Sequence, residues 1–275
     1  MKRHLCLGLS LALTGLQAQA DTPARADLPL WELGMAAGAI SQQAYPGADE
    51  QVHRTPVLPY VIYRGKVLRA DDEGAGLRAV RTDRFELDVS FAGSLSAGGK
   101  SLRAREGMPR LGTLVEFGPV ARWFVNGREA SHRVSVELPL RGVFEARDLR
   151  RHRGMSLEPE VSLDHRTRGG WSYGVSAGLL IGDERLGATY YRVAPGEALP
   201  DRPAYEARAG LIAWRLKGGV SRQLTPDVRV FAFGRLDSVA GAANRDSPLV
   251  RRTTGGSVGI GLTYTLARSA ARASD

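Results

Sequence analysis

Residues 134–144 read Val-Ser-Val-Glu-Leu-Pro-Leu-Arg-Gly-Val-Phe. The even-numbered positions are apolar or glycine, and the odd-numbered positions include Ser135, Glu137 and Arg141. Successive side chains of a β-strand point to opposite faces, so this alternation predicts a strand with one apolar and one polar face. The segment matches the roughly 9–11 residues with which a tilted strand crosses a bilayer. It therefore has the dimensions of a membrane-spanning strand.

The same alternation recurs on both sides of this segment. Apolar residues occupy most second positions, between polar or small neighbours, in segments 85–91, 155–163, 171–181 and 258–266. We predict an all-β fold of about twelve antiparallel strands, with ten to fourteen acceptable because 66–82 and 205–224 can be divided in more than one way. The predicted strands are 30–41, 55–63, 66–71, 76–82, 84–96, 111–125, 132–145, 154–166, 171–182, 205–224, 228–238 and 255–266.

The position of the aromatic residues favours a membrane barrel over a soluble sandwich. Alternation alone is compatible with both folds, because the apolar face of a strand can point to a protein core or to lipid. In an outer-membrane barrel, aromatic side chains form girdles where the wall meets the two membrane surfaces. Aromatic residues do lie near the ends of the predicted strands, at Trp31, Tyr60, Tyr63, Trp123, Trp171, Tyr173 and Tyr264.

The connections between the predicted strands alternate between two classes. Short turns are expected at 64–65, 82–83, 126–131, 167–170 and 225–227. Mostly longer loops are expected at 41–54, 72–75, 97–110, 146–153, 183–204 and 239–254. Bacterial outer-membrane barrels have short periplasmic turns, longer external loops and an even number of strands. We therefore predict an antiparallel transmembrane β-barrel with both termini in the periplasm.

The beginning of the chain has the pattern of a cleaved signal peptide. Lys2 and Arg3 precede a short apolar stretch, and Ala18-Gln19-Ala20 has the small residues that a signal peptidase requires. We expect a signal peptide at 1–20 and an outer-membrane β-barrel domain at 21–275, in the outer membrane of a Gram-negative cell. Cys6 is the single cysteine, so the mature chain would have no thiolate chemistry. The formal net charge is +9, but no basic helix or aromatic-basic motif indicates a nucleic-acid partner.

Several short motifs resemble one known family over nearly the whole mature chain. They are Leu30-Trp31-Glu32-Leu33-Gly34, residues 58–65 (Leu-Pro-Tyr-Val-Ile-Tyr-Arg-Gly), 68–71 (Leu-Arg-Ala-Asp), 159–166 (Pro-Glu-Val-Ser-Leu-Asp-His-Arg), 176–178 (Ser-Ala-Gly), 181–183 (Ile-Gly-Asp) and 246–250 (Asp-Ser-Pro-Leu-Val). With them, the chain resembles the MltA-interacting protein (MipA/OmpV) family of Gram-negative outer-membrane proteins.

The family resemblance implies a non-enzymatic barrel with a scaffold role in murein metabolism. In that role, the barrel bridges a lytic transglycosylase and a murein synthase. Two features depart from the family pattern: the polar tail 267–275, where family members usually end on an aromatic residue, and the second half of loop 183–204.

The sequence predicts no catalytic, cofactor-binding or metal-binding residues and no cofactor. The histidines of the mature chain, His53, His132, His152 and His165, show no metal-ligand spacing. Asp164 and His165, close to Ser162, resemble parts of a catalytic triad. However, adjacent residues of a strand point to opposite faces, so these two side chains would not share a site.

The charged residues of the polar faces allow two interpretations of the lumen. They can pair across a filled lumen, or they can line a narrow water-filled pore that selects solutes. We favour the filled lumen, because a barrel of this size encloses little free width. The residues are Glu86, Asp88, Glu116, Arg122, Glu137, Arg141, Glu158, Glu160, Asp164, Arg229, Arg235 and Asp237.

The longer loops contain two basic clusters, which are either solvated charges or contacts for lipopolysaccharide phosphates. They comprise Lys100, Arg103, Arg105 and Arg110, then Arg147, Arg150, Arg151 and Arg153. Two functions therefore stay open. The first is a scaffold for murein synthesis and turnover, for which the short periplasmic turns leave little docking surface. The second is a small diffusion channel, or a surface barrel in contact with outer-membrane lipid and lipopolysaccharide.

Overall fold

The computed structural model describes residues 28–65, 68–71, 74–94, 101–167 and 169–273. Within them, the chain forms fourteen β-strands and one α-helix. The strands are β1 (Trp31–Gln43), β2 (Gln51–Arg54), β3 (Val57–Arg64), β4 (Leu68–Asp71), β5 (Gly74–Arg81), β6 (Phe85–Ser94), β7 (Leu114–Phe124), β8 (His132–Glu145), β9 (Asp148–Leu157), β10 (Glu160–Arg166), β11 (Trp171–Gly182), β12 (Gly210–Gln223), β13 (Val228–Ser238) and β14 (Thr254–Arg268). The helix is α1 (Glu184–Tyr191).

The strands form one antiparallel sheet that returns to its own beginning. Consecutive strands of the wall pair with each other, and β14 pairs with β1 to complete the ring. Two couples of short strands each act as one strand of this wall. β2 and β3 both pair with β1 on either side of Pro56, and β9 and β10 both pair with β8 on either side of Pro159. Counting each couple once, twelve described strands surround the lumen, which confirms the predicted barrel.

The outer surface of the barrel is apolar. On β8, Val136, Leu138 and Leu140 are exposed, whereas Ser135 and Pro139 on the opposite face are buried. The same holds on β14, where alternate residues from Val258 to Leu266 are exposed on the outside. Because lipid cannot hydrogen-bond to a backbone, a membrane-spanning sheet must pair its strands in a ring and turn apolar side chains outward. The predicted assignment of faces on these strands is confirmed.

Aromatic rings form a row on the outer surface near each end of the barrel. Near one end, Phe117 stacks on Phe144 with ring centroids 4.8 Å apart, and Phe91 lies 6.1 Å from Phe117. Near the other end, Tyr173 stacks on Trp171 at 5.8 Å. Cross-strand aromatic pairs stabilise neighbouring strands, and their position corresponds to the two interfacial girdles of a membrane barrel.

The connections place all the long loops at one end of the barrel. We call this the loop end and the opposite end the turn end. The loop end has the connections 44–50, 95–113, 183–209 and 239–253. The predicted loop at 146–153 is wrong, because β9 begins at Asp148 and leaves a turn of residues 146–147 only. The predicted strand 205–224 is a single strand, β12, which begins at Gly210.

The polar C-terminal tail folds back against the start of β1. The Ala273 amide donates to the carbonyl of Leu28 at 2.8 Å, and the Leu30 amide donates to the carbonyl of Ala271 at 2.9 Å. The predicted signal peptide lies outside the described residues. No helix among the described residues is both long and apolar enough to cross a membrane.

The family motifs meet in pairs across neighbouring strands. Gly34 of the first motif lies opposite Tyr60 of the second. A Cβ on Gly34 would lie 2.5 Å from a Tyr60 ring atom, so glycine lets the ring lie against the wall. Gly178 faces Glu160 in the same way, since a Cβ there would lie 2.5 Å from the Pro159 carbonyl oxygen. These four motifs therefore each contribute one side of a close strand-to-strand contact.

Candidate functional site: the lumen and its cap

A network of charged side chains fills the lumen near the turn end. Arg122 donates to both oxygens of the Glu137 carboxylate, at 2.7 and 3.1 Å, and to Glu86 at 3.2 Å. Arg128 reaches back from the turn after β7 and pairs with Glu86 at 2.5 Å. Glu86 is completely buried. We call these four residues the turn-end network. Carboxylates buried at this depth require paired cations, since an isolated buried charge is very costly.

The register of the strands explains why these charges meet. Glu86, Arg122 and Glu137 are direct cross-strand partners on β6, β7 and β8. Cross-strand partners share a face, so the three side chains project into the lumen side by side. The Phe124 ring lies beneath the guanidinium of Arg128, whose Cζ is 4.7 Å from its centroid. This cation–π contact helps to hold the arginine in the mouth of the turn end.

A second network lies closer to the loop end. Arg215 donates to Asp237 at 2.9 Å and to Glu158 at 3.2 Å, and Arg235 pairs with the second Asp237 oxygen at 3.1 Å. Asp237 is buried. We call these four residues the loop-end network. Lys217 contacts Glu160 on the same wall. The predicted lumen residues in these two networks are thus ion-paired, as the interpretation of a filled lumen expects. Glu116 and Arg141 instead share hydrogen bonds with the hydroxyls of Ser156 and Ser90.

The long loops fold together into one cap across the loop end. The cap consists of residues 44–50, 101–113, 183–209 and 239–253, including α1. Its apolar core is continuous with side chains at the loop ends of the strands. The buried cap residues include Tyr45, Leu102, Tyr190, Tyr191 and Leu249. Burial of this apolar surface packs the four loops into one layer.

Hydrogen bonds cross-brace the loops of the cap. The Tyr45 hydroxyl donates to the carbonyl of Leu249 at 2.8 Å, and the Tyr191 hydroxyl donates to the carbonyl of Pro46 at 2.9 Å. The Ser247 hydroxyl donates in turn to the carbonyl of Tyr191 at 2.7 Å. Ser247 and Leu249 belong to the last family motif, whose structural role is therefore to close the cap.

Arg202 joins two further loops of the cap. Its guanidinium donates to the carbonyl of Glu106 at 2.8 Å and to the carbonyl of Glu197 at 2.7 Å. Arg105 donates to the carbonyl of Tyr190 at 3.0 Å. Loop 101–113 is thus attached to loop 183–209 through cations that bind backbone oxygens.

Burial keeps the cap tyrosines protonated. It raises the pKa of Tyr45 to about 12, an effect that the nearby Arg105 partly offsets. Burial also raises the pKa of Tyr191 well above its usual value. Both hydroxyls therefore remain neutral donors at physiological pH, and the hydrogen bonds that brace the cap persist across that range.

The residues that resembled a triad do not form a site. Asp164 faces the lumen and pairs with Arg133 at 3.2 Å. The His165 ring lies on the outer face and stacks on His132 with centroids 4.1 Å apart. The Ser162 hydroxyl donates to Glu160 at 3.3 Å. Among the described residues, no group of three or more His, Cys, Asp or Glu is placed to hold a metal ion.

The residues of the two predicted basic clusters are only partly engaged by other groups. Arg105 is engaged with Tyr190 inside the cap, and Arg153 pairs with Glu145 at 2.5 Å. Arg103 and Arg151 expose most of their side chains. Lys100 lies outside the described residues. The predicted clusters therefore retain a solvent-exposed part.

Sequence reasoning missed the cap residues Tyr45, Tyr190, Tyr191 and Arg202. No alternation marks them, because they lie in loops and an α-helix rather than in strands. The only available signal was the family motif 246–250, which the sequence alone could not connect with the tyrosines.

A twelve-stranded antiparallel ring with an apolar outer surface, a charged lumen and one long-looped end defines an outer-membrane β-barrel. The family model described as MltA-interacting protein MipA matches residues 34–266. The chain therefore belongs to this family.

Three solved structures illustrate what else the chain is similar to. The first is the NanC porin, at 10% identity over 85% of this chain and 100% of that chain, with a TM-score of 0.41. The second is outer membrane phospholipase A from Escherichia coli, at 13% identity over 84% of this chain and 92% of that chain, with a TM-score of 0.34. The third is Salmonella typhi OmpF in complex with daunomycin, at 9% identity over 86% of this chain and 97% of that chain, with a TM-score of 0.41. Scores this low add nothing to the family assignment. The search of curated proteins found no match.

Proposed function

We propose that this chain is a closed, non-enzymatic outer-membrane barrel that serves as a scaffold for murein synthesis and turnover. The observation that carries the proposal is the obstruction of the lumen by two charge networks and a packed cap. In a barrel closed in this way, the outer surface and the two ends are the surfaces that can bind partners. The family description, MltA-interacting protein, supports a lytic transglycosylase as one partner. A murein synthase would be the second.

The proposal includes an orientation. A signal peptide at 1–20 delivers the chain to the periplasm, and both termini remain there. The turn end then faces the murein, and the cap faces the outside, where exposed arginines such as Arg103 and Arg151 meet lipopolysaccharide phosphates. Partner enzymes would dock on the turns of the turn end and on the surface where the C-terminal tail contacts residues 28–30.

A diffusion channel is the alternative function, and conductance tests it. We expect the purified, folded barrel to give no stable conductance steps in planar bilayers, because ion pairs occupy the lumen and the cap covers its loop end. The NanC porin, inserted under the same conditions, serves as the positive control. Reproducible open-channel steps from the pure protein would favour the channel over the closed scaffold.

Single cysteines test the orientation. In a Cys6→Ser background we would introduce Asp246→Cys on the cap and Glu129→Cys in the turn after β7. Both positions are exposed, and Asp246 forms an exposed ion pair with Arg245. We expect an impermeant maleimide added to intact cells to label position 246 and to spare position 129 until the outer membrane is permeabilised. The opposite labelling pattern would mean that the barrel has the inverted orientation, with the cap in the periplasm.

The same two variants test the docking surface. A polyethylene glycol chain attached at position 129 should prevent purified lytic transglycosylase from binding, because it shields the turn end. The same modification at position 246 should leave binding unchanged, which makes it the matched control. Equal binding to both modified proteins would contradict docking on the turn end, and loss only at position 246 would transfer the docking site to the cap.

A further inference from the structure

Two histidines lie side by side on the outer surface of the barrel at the turn end. His132 is the first residue of β8, and His165 lies one residue before the end of β10. The two strands pair antiparallel, with His132 directly opposite His165. Their imidazole rings stack with centroids 4.1 Å apart and an angle of 9° between the ring planes. We call these two residues the histidine pair. They are far apart in the chain, so no local spacing indicates them.

The register of the backbone brings the two side chains close together. The carbonyl of His132 accepts a hydrogen bond from the side chain of Asn126, on the side of β8 that faces away from β10. The neighbouring residues pair instead, since the Arg166 amide donates to the carbonyl of Ser131 at 3.2 Å. His132 and His165 therefore exchange no backbone hydrogen bond. In antiparallel sheets this is the kind of pair whose side chains are closest to each other.

One hydrogen bond sets the tautomer of His165. Its Nδ1 atom lies 3.2 Å from the carbonyl oxygen of Ser131. A carbonyl oxygen can only accept, so Nδ1 carries the proton, and the neutral ring keeps its lone pair on Nε2. Histidines that bind metal ions almost always donate their other ring N–H to a carbonyl or a carboxylate in this way. His165 is therefore oriented to act as a ligand through Nε2.

His132 can supply the second ligand. Its side chain is exposed, and among the described residues no group hydrogen-bonds to its ring, which contacts the ring of His165. The His132 ring can therefore turn about its Cβ–Cγ bond. Two imidazole nitrogens that bind one tetrahedral Zn²⁺ at about 2.0–2.1 Å lie roughly 3.4 Å from each other. The separation of the stacked rings is close to this distance, so rotation of the His132 ring can direct both lone pairs to one ion.

The surroundings of the histidine pair determine which ions it suits. The charged neighbours Arg133 and Asp164 pair with each other at 3.2 Å on the lumen face, so their charges compensate. The next pair on the outer face is Val134 and Leu163, which offers no ligand atoms. Imidazole nitrogens suit late transition metals, whereas Mg²⁺ and Ca²⁺ require oxygen ligands. The pair therefore favours ions such as Cu²⁺, Ni²⁺ and Zn²⁺.

We propose that the histidine pair binds one divalent ion of a late first-row transition metal, with one nitrogen from each ring and water in the remaining positions. The two ligands belong to neighbouring strands of one sheet, so the second bond forms within a molecule that already holds the ion, which strengthens binding. Cu²⁺ should bind most tightly, because the affinity of nitrogen ligands rises along the first row to Cu²⁺ and falls at Zn²⁺. This site is independent of the proposed scaffold function.

Titration with Cu²⁺ tests the proposal directly. The folded barrel, purified in detergent without a histidine tag, would be titrated with Cu²⁺ and followed by pulsed electron paramagnetic resonance. We expect one tightly bound Cu²⁺ per chain, whose spin-echo modulation shows two coordinated imidazoles. Mg²⁺ in about hundredfold excess should not displace it, since Mg²⁺ requires oxygen ligands. A spectrum from the parent barrel with one imidazole or none would overturn the proposal without recourse to a variant.

Three single variants assign the site to its residues. His132→Ala and His165→Ala should each weaken Cu²⁺ binding about tenfold or more and leave the signal of one imidazole, because each removes one of two linked ligands. The matched control is His152→Ala, at a histidine near the loop end that accepts a hydrogen bond from Arg185 at 3.2 Å. It should change neither the affinity nor the spectrum. Unchanged binding in His132→Ala or in His165→Ala would overturn the proposal, and asparagine replaces alanine in a variant that does not fold.

Discussion

Replacement of Arg122 by alanine should lower the free energy of unfolding by about 3–5 kcal/mol, the usual cost of removing one partner from a buried ion pair. Arg122 donates to both oxygens of Glu137 and also to Glu86, which is completely buried. Without the guanidinium, the lumen contains one cation fewer for two carboxylates. Denaturant titration of the barrel in phospholipid vesicles, followed by tryptophan fluorescence, would measure the loss.

A charge-balanced double variant separates electrostatics from packing. Arg122→Met combined with Glu137→Gln removes one cation and one anion and leaves the pair of Glu86 and Arg128 in place. This variant should recover most of the stability, since replacing a buried pair by neutral groups is often neutral or stabilising. If it is as unstable as Arg122→Ala, the loss comes from packing and not from unpaired charge.

A surface ion pair gives the matched comparison for Arg122. Arg245 and Asp246 on the cap pair at 3.4 Å, with side chains 62% and 79% exposed. Arg245→Ala should change the free energy of unfolding by no more than about 1 kcal/mol, because exposed pairs are screened by water. A similar effect at both arginines would contradict the role assigned to burial of the turn-end network.

Replacement of Leu138 by arginine should cost about 2–4 kcal/mol of barrel stability, as measured by the same titration. Leu138 lies in the middle of β8 on the outer face, where its side chain is 49% exposed and its cross-strand neighbour is Ala121. A guanidinium there would have to leave water for hydrocarbon or distort the bilayer around it.

The control for Leu138 is an apolar substitution at the same position. Leu138→Phe should be nearly neutral, because fluid lipid accommodates a larger apolar side chain. The lumen-facing neighbour Glu137 is unsuitable as a control, since it takes part in the turn-end network. If arginine and phenylalanine cost the same, the outer face of β8 would not contact lipid.

The candidate site could be predicted from the sequence only in part. Alternation identified Glu86, Arg122 and Glu137 as lumen residues, because their strands are regular and each has one apolar face. Strand β13 shows the limit of the same rule. Phe231 and Phe233 share the lumen face with the predicted residues Arg229, Arg235 and Asp237. Alternation does not explain how two large rings fit among these charges; Gly259 and Gly261 on the neighbouring strand provide the space.

Loop lengths were predicted less well than strands. The sequence around 146–153 contains four arginines and no alternation, which favoured a loop, yet β9 extends through it from Asp148. Pairing with β8 and ion pairs such as Arg153 with Glu145 stabilise this polar hairpin beyond the apolar band. A polar strand that extends out of the membrane has no apolar face, so periodicity cannot reveal it.

The sequence by itself determined the class of fold, the strand faces and the charged character of the lumen, because alternation is a property of residues that are close in the chain. Only the tertiary structure decided the cap and the pairing of the charges. Tyr191 and Pro46, which brace the cap, are 145 residues apart. Contacts over such distances depend on how the ring of strands closes, and no local pattern records them.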